Sequence, residues 1–168
     1  NMIKTFNSLL VTMFGLGKVK YMPGTFASLV TTIFLFYLFH TLYISPNIIL
    51  IILIIIFIYS FYAVSTHIKD SKNKDPGEIV IDEFLGQSIP IYLYEISHGT
   101  SKESVEAIPY YILFFILFRY FDIMKPFPVS FFDKNFKNSF GVIMDDICAG
   151  LYVVLTLVCF MIVKSYVL

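Results

Sequence analysis

The chain has 168 residues, of which 58% are hydrophobic and only 14% charged, with a mean hydropathy of +0.80 and no net charge. Soluble domains carry about 25% charged residues, so too few polar side chains are present here to cover a water-facing surface. That excludes a disordered segment, a secreted disulfide scaffold and a free nucleic-acid-binding domain, and leaves one integral membrane domain over residues 1–168, an all-α polytopic helical bundle.

A bilayer core about 30 Å thick takes about 20 helical residues. The apolar stretch 6–16 is too short to cross and is expected to lie at the interface. Five spans are then expected: Phe26 to Ile44, Ile48 to Ser65, Ile79 to Ile96, Ala107 to about Ile123, and Ile147 to Val163. The third carries Asp82 and Glu83 near its start, and the fourth carries Arg119 and Asp122 near its end. Between the spans lie the Ser45-Pro46-Asn47 turn and three loops: 66–78 with the breaker Asp75-Pro76-Gly77, 98–106, and 124–146. Cys148 and Cys159, eleven positions apart in one span, are read as apolar fillers, and His40, His67 and His98 as incidental loop residues.

Lys and Arg in short loops mark the cytoplasmic side. Lys4, Lys18, Lys20, Lys69, Lys72, Lys74, Arg119, Lys125, Lys134 and Lys137 fall on one side of the five-span arrangement, against Lys102 and Lys164 on the other. Ten against two places the N-terminus inside and the C-terminus outside.

That topology gathers the unusual residues at one level. Gly15 to Lys18, Pro23-Gly24-Thr25, Asp75 to Glu83, Arg119 to Lys125 and Asp145-Asp146 all fall at cytoplasmic helix ends. Helix N-termini present free N–H groups and partial positive charge, which suit phosphate. Ionisable groups within membrane segments are expensive and mark functional candidates. Each has a simpler reading: Asp145-Asp146 as an N-cap, Asp82 and Glu83 as first-turn acids, Arg119–Asp122 as an intrahelical pair, Lys18 as an interface anchor. None of these explains why acids and bases share one membrane face. Carboxylates are the ligands Mg²⁺ prefers, and a guanidinium matches phosphate, so the cluster points to a metal-bridged phosphate. Gly86, one turn after Asp82, is expected to leave room for substrate. The P-loop spacing fails after Gly15, and no cysteine-dependent or haloacid-dehalogenase-type phosphatase motif is present.

Gly15-Leu16-Gly17, Pro23-Gly24-Thr25-Phe26, Asp75-Pro76 with Ile81-Asp82-Glu83 and Gly86, Phe118-Arg119 with Asp122 and Lys125-Pro126, and Gly141 with Asp145-Asp146 and Ala149-Gly150 together resemble the phosphatidylglycerophosphatase A family over nearly the whole chain. The resemblance implies a bacterial inner-membrane enzyme that uses Mg²⁺ to remove the terminal phosphate of phosphatidylglycerophosphate. It implies Asp82, Glu83, Asp145 and Asp146 around the metal, and Gly24, Thr25, Lys18, Arg119 and Lys125 around the phosphate. Asp122 is a further ligand, the orienter of Arg119 or a general base; attack by water and by a side chain both stay open. Gln87 departs from the expectation of an apolar residue after Gly86. The partners expected are the lipid substrate and membrane lipids, without nucleic acid, while self-association into a homo-oligomer stays open. The rival readings are a small transporter or channel, with acids spread through the membrane depth, and a non-catalytic subunit, with one exposed polar stripe.

Overall fold

The computed structural model describes residues 2–70, 77–98 and 103–167. Among them are seven α-helices and no strand: α1 (Met2–Val11), α2 (Pro23–His40), α3 (Pro46–Asp70), α4 (Ile81–His98), α5 (Ser104–Met124), α6 (Val129–Asn135) and α7 (Ser139–Val167), with a 3-10 turn at Leu16–Lys18. Asp75 and Pro76 lie outside the described residues.

Four helices, α2, α3, α5 and α7, are long and apolar enough to cross a membrane. Their burial pattern is that of lipid-facing helices. On α2 the small and hydroxylated residues Gly24, Ala27, Ser28, Thr31 and Thr32 are buried, while Phe26, Ile33, Phe34 and Tyr37 are exposed. Lipid competes poorly for small residues, because close helix approach comes from their lack of bulk rather than from apolarity. The inward hydroxyls satisfy themselves along the helix: Ser28, Thr31 and Thr32 each donate to the carbonyl four residues earlier.

The remaining expected span, α4, is of another kind. It carries Asp82, Glu83, Gln87 and Glu95, and all four are at least largely enclosed by its neighbours. It runs beside α2 along the bundle: Gly24 packs on Glu83 at one end, and His40 bonds Glu95 at the other. Against α7 the backbones touch. A Cβ at Gly86 would stand 2.4 Å from the Asp146 carbonyl oxygen, and one at Gly150 would stand 2.3 Å from that of Gly86. The space beside Gly86 is therefore filled by α7 and the Phe118 ring, not held for substrate.

Helix α1 is ten residues long, too short to cross, and leaves Met2, Ile3 and Phe6 exposed. Tyr59 donates a 2.7 Å hydrogen bond to Asn7 Oδ1, fastening α1 to α3. After α1 the chain turns, and the Val80 N–H donates to the Val11 carbonyl at 3.0 Å, stitching the turn to the entrance of α4.

Several boundaries differ from the expectation: α1 covers Met2–Val11 and not 6–16, α2 ends at His40 before Ile44, and α3 runs past Ser65 to Asp70. Helix α7 starts eight residues before Ile147, where Asn138 Oδ1 accepts the Gly141 N–H at 3.1 Å, so Asp145 and Asp146 lie inside the helix and cap nothing. Within the expected 124–146 loop, residues Val129–Asn135 form α6, which packs on α7. The histidines are in helices, not loops: His40 ends α2, His67 lies in α3 and donates to or accepts from Glu78 at 2.8 Å, and His98 ends α4. Both cysteines are unpaired by disulfide.

Candidate active site

The starts of α2, α4 and α7 and the end of α5 converge at one end of the bundle. They bring together Gly24, Asp82, Glu83, Asp146 and Arg119 from four segments of the chain. Asp82, Glu83 and Asp146 each place a carboxylate oxygen within 4.8 Å of the others. Asp82 and Asp146 are buried, and Asp82 Oδ1 and Glu83 Oε2 have no hydrogen-bond partner among the described residues. Three carboxylates at that spacing in a low-dielectric setting are costly unless a cation sits among them. This donor set fits a divalent cation that takes oxygen ligands.

Asp145 does not join the three. Adjacent residues on a helix point about 100° apart, a spread that the side chains of Asp82 and Glu83 close and those of Asp145 and Asp146 do not. Asp145 Oδ2 instead accepts from Lys125 Nζ at 2.9 Å, and Oδ1 accepts the Asp146 N–H at 3.0 Å. Lys125 also donates to Asp133 Oδ1 at 2.7 Å, so α6 is tied to α7 through the residue that caps α5. Burial alone would lower the pKa of the Lys125 ammonium, but the Asp133 hydrogen bond and the Asp145 charge outweigh it and hold it above the usual lysine range. Lys125 is a fixed cation.

Arg119 stands on the other side of Gly24. Its Nη1 pairs with Asp122 Oδ2 at 2.7 Å and reaches Ser28 Oγ at 3.5 Å, which orients the guanidinium toward the start of α2. A Cβ at Gly24 would lie 2.0 Å from Glu83 Oε1 and 3.3 Å from Arg119 Nη1, so only glycine admits both side chains here. At this helix start Pro23 has no N–H, and the Met22 carbonyl takes those of Thr25 and Phe26. What is left for an anion is the Gly24 N–H and the Thr25 hydroxyl, whose Oγ1 is buried without a partner among the described residues.

Beside these groups lies a cavity of about 180 Å³ lined by Gly24, Asp82, Glu83, Asp122, Lys125, Asp133, Asp145 and Asp146, with Lys137 and Gly141 at its α6–α7 wall. Lys18, Thr25 and Arg119 line no part of it: Thr25 and Arg119 stand behind Gly24, and Lys18 is exposed because the 12–18 turn packs its Gly17 against the Glu78 backbone. Asp133 and Lys137 are the charged cavity residues that sequence reasoning missed. Nothing local singles out an acid in a short polar helix, and only the fold carries it to Lys125.

The carboxylate cluster, the guanidinium and the ammonium lie at one end of a helical bundle of which four helices are long and apolar enough to cross a membrane, and the class it fits is that of helical membrane proteins. The family model described as Phosphatidylglycerophosphatase A matches residues 9–161. A Haemophilus influenzae protein named Phosphatidylglycerophosphatase A is 36% identical over 147 residues, 88% of this chain and 83% of its own length. Its Escherichia coli namesake is 30% identical, over 84% of this chain and 76% of its own. A Bacteroides thetaiotaomicron protein, 32% identical over 86% of each chain, carries a provisional phosphatidylinositol-3-phosphatase name. No solved structure matches the chain. The chain belongs to the phosphatidylglycerophosphatase A family and is a phosphatase.

Proposed function

We propose that the site hydrolyses the terminal phosphate monoester of phosphatidylglycerophosphate to phosphatidylglycerol and inorganic phosphate, with Mg²⁺, at the cytoplasmic face of a bacterial inner membrane. The observation that carries the reading is the meeting of Asp82, Glu83 and Asp146 within 4.8 Å, beside an Arg119 that shares the Gly24 notch with Glu83. The excess of Lys and Arg on the site's side of the sequence supports the cytoplasmic placement.

Asp82, Glu83 and Asp146 would hold the metal, which when bound neutralises phosphoryl charge and orients the attacking water. Arg119 takes two nonbridging oxygens through its planar fork, and Asp122 fixes the plane of that fork. Thr25 and the Gly24 N–H hold the remaining oxygen at the start of α2. Lys125 keeps Asp145 turned away from the three acids and places positive charge on the cavity wall. Water adds to phosphorus and gives up a proton, the bond to the glycerol oxygen breaks, and that oxygen takes up a proton and leaves as the lipid alcohol, with inorganic phosphate as the other product. The acyl chains stay among the apolar outer faces of the helices.

The test is phosphate release from phosphatidylglycerophosphate in detergent micelles, with Mg²⁺ and after EDTA, with phosphatidylinositol 3-phosphate in parallel. Release that needs Mg²⁺ and favours the first lipid supports the reading. Release only from the inositol lipid moves the substrate, and none from either by folded protein sinks the catalytic roles.

A further inference from the structure

We propose that Gln87 is a positioning residue that ties the carboxylate of Glu83 to the guanidinium of Arg119. The proposal rests on the reading of the site given above and goes beyond it by adding a residue from below the cavity floor. Gln87 is fully buried, yet neither its amide oxygen nor its amide nitrogen has a hydrogen-bond partner among the described residues. A buried primary amide with nothing to bond is costly, whereas an apolar residue of the same size would carry no such cost.

Its surroundings say where those bonds go. Gln87 lies one turn beyond Glu83 on α4, the spacing at which helical side chains are neighbours. The next residue on that face, Ile91, and Phe118 across on α5 are fully buried apolar side chains, and the buried hydroxyls of Ser28, Thr31 and Thr32 on α2 already donate within their own helix. Toward the site, two atoms lack partners and are of complementary kind: Glu83 Oε2 is an acceptor and Arg119 Nε is a donor. Glu83 Oε1 and Arg119 Nη1 both border the Gly24 notch. The amide NH₂ donates to Glu83 Oε2, and the amide carbonyl accepts from Arg119 Nε, by side-chain rotation or through one buried water. One neutral side chain thereby locks the metal-side acid to the phosphate-side base. Only the amides of Gln and Asn carry a donor and an acceptor on one carbon without a titratable proton, and Asn is one methylene shorter.

The test compares the full chain with Gln87→Leu, Arg119→Lys and the double variant in detergent. Mn²⁺ binding is followed by electron paramagnetic resonance without substrate, and thermal melting and steady-state kinetics are measured alongside. Gln87→Leu should weaken Mn²⁺ binding about tenfold and raise KM, and should lower the melting temperature, because it leaves Glu83 Oε2 and Arg119 Nε buried without their bonds. Its kinetic effect should shrink in the Arg119→Lys background, as coupled residues require. Unchanged Mn²⁺ affinity and KM, a melting temperature at or above that of the wild type, or effects that multiply independently would each overturn the proposal. Wild-type protein that binds Mn²⁺ but releases no lipid phosphate would remove the catalytic reading, and the Mn²⁺ comparison would still decide the role of Gln87. Wild-type protein that binds no Mn²⁺ would remove both.

Discussion

The two ends of the bundle both bury a glutamate on α4, and they treat it in opposite ways. At the far end Glu95 Oε1 lies 3.0 Å from His40 Nε2 and accepts a 2.8 Å hydrogen bond from the Tyr111 hydroxyl. His40 is stacked on Phe36, and Tyr111 stands edge-on to the same ring, so the trio sits in an aromatic box. At the near end Glu83 keeps an oxygen with no partner among the described residues, beside Asp82 and Asp146. Between the two lies an apolar layer of Leu35, Ile91 and Phe114, each all but inaccessible to solvent. A buried polar group supplied with all its bonds is holding helices together, and one left short is reserved for something that arrives later. The apolar layer also speaks against the transporter reading, which needs ionisable groups through the membrane depth.

The sharpest way to break this contrast is Asp82→Ala. Phosphate release should fall at least about 100-fold, as it does for weakened metal sites, while the melting temperature holds or rises because one of three crowded acids is gone. Activity that survives would remove Asp82 from the metal site. Gly150→Leu comes next. Its side chain must push α7 from α4, moving Asp146 away from Asp82, and a displacement of about 1 Å can cost about 100-fold in rate with about 1–3 kcal/mol of stability. Wild-type rate in that variant would mean that the crossing does not position the acids.

Lys125→Met should cost about tenfold, since it frees Asp145 and releases α6 without touching the three converging carboxylates. Limited proteolysis near Asp133 should speed up in the same variant; unaltered cleavage would show that the Lys125 bridge does not hold α6. Glu95→Ala should leave the rate per folded molecule within about twofold. It should destabilise the protein by about 1–3 kcal/mol for each of His40 and Tyr111 left without its acceptor, read from thermal melting. A selective loss of rate there would mean that the far end communicates with the site.

Much of this could be read from residues alone, where the physics is local. Four of the five expected spans are helices long and apolar enough to cross a bilayer, because hydropathy over a window of about 20 residues needs no tertiary knowledge. Length alone likewise marked 6–16 as too short to cross, though the helix there is Met2–Val11 and the chain turns after it. The candidate acids stood out because charge inside an apolar run is expensive wherever it occurs. What failed was pairing. His40 looked incidental because its partners are 55 and 71 positions away in sequence, and Lys18 looked useful because its turn stands near the right helix ends.

Composition and charge patterning alone determined that the chain is a helical membrane protein with its polar chemistry at one level, since lipid penalises each misplaced polar residue independently of the rest. Only the tertiary structure decided which of those polar residues work together. It seated α7 against α4 through Gly86 and Gly150, turned Asp146 toward Asp82 and Asp145 toward Lys125, and gave the Gly24 notch to Glu83 and Arg119. Those choices depend on where helix backbones can touch and on the 100° step between neighbouring side chains. Neither quantity is written in any single stretch of sequence.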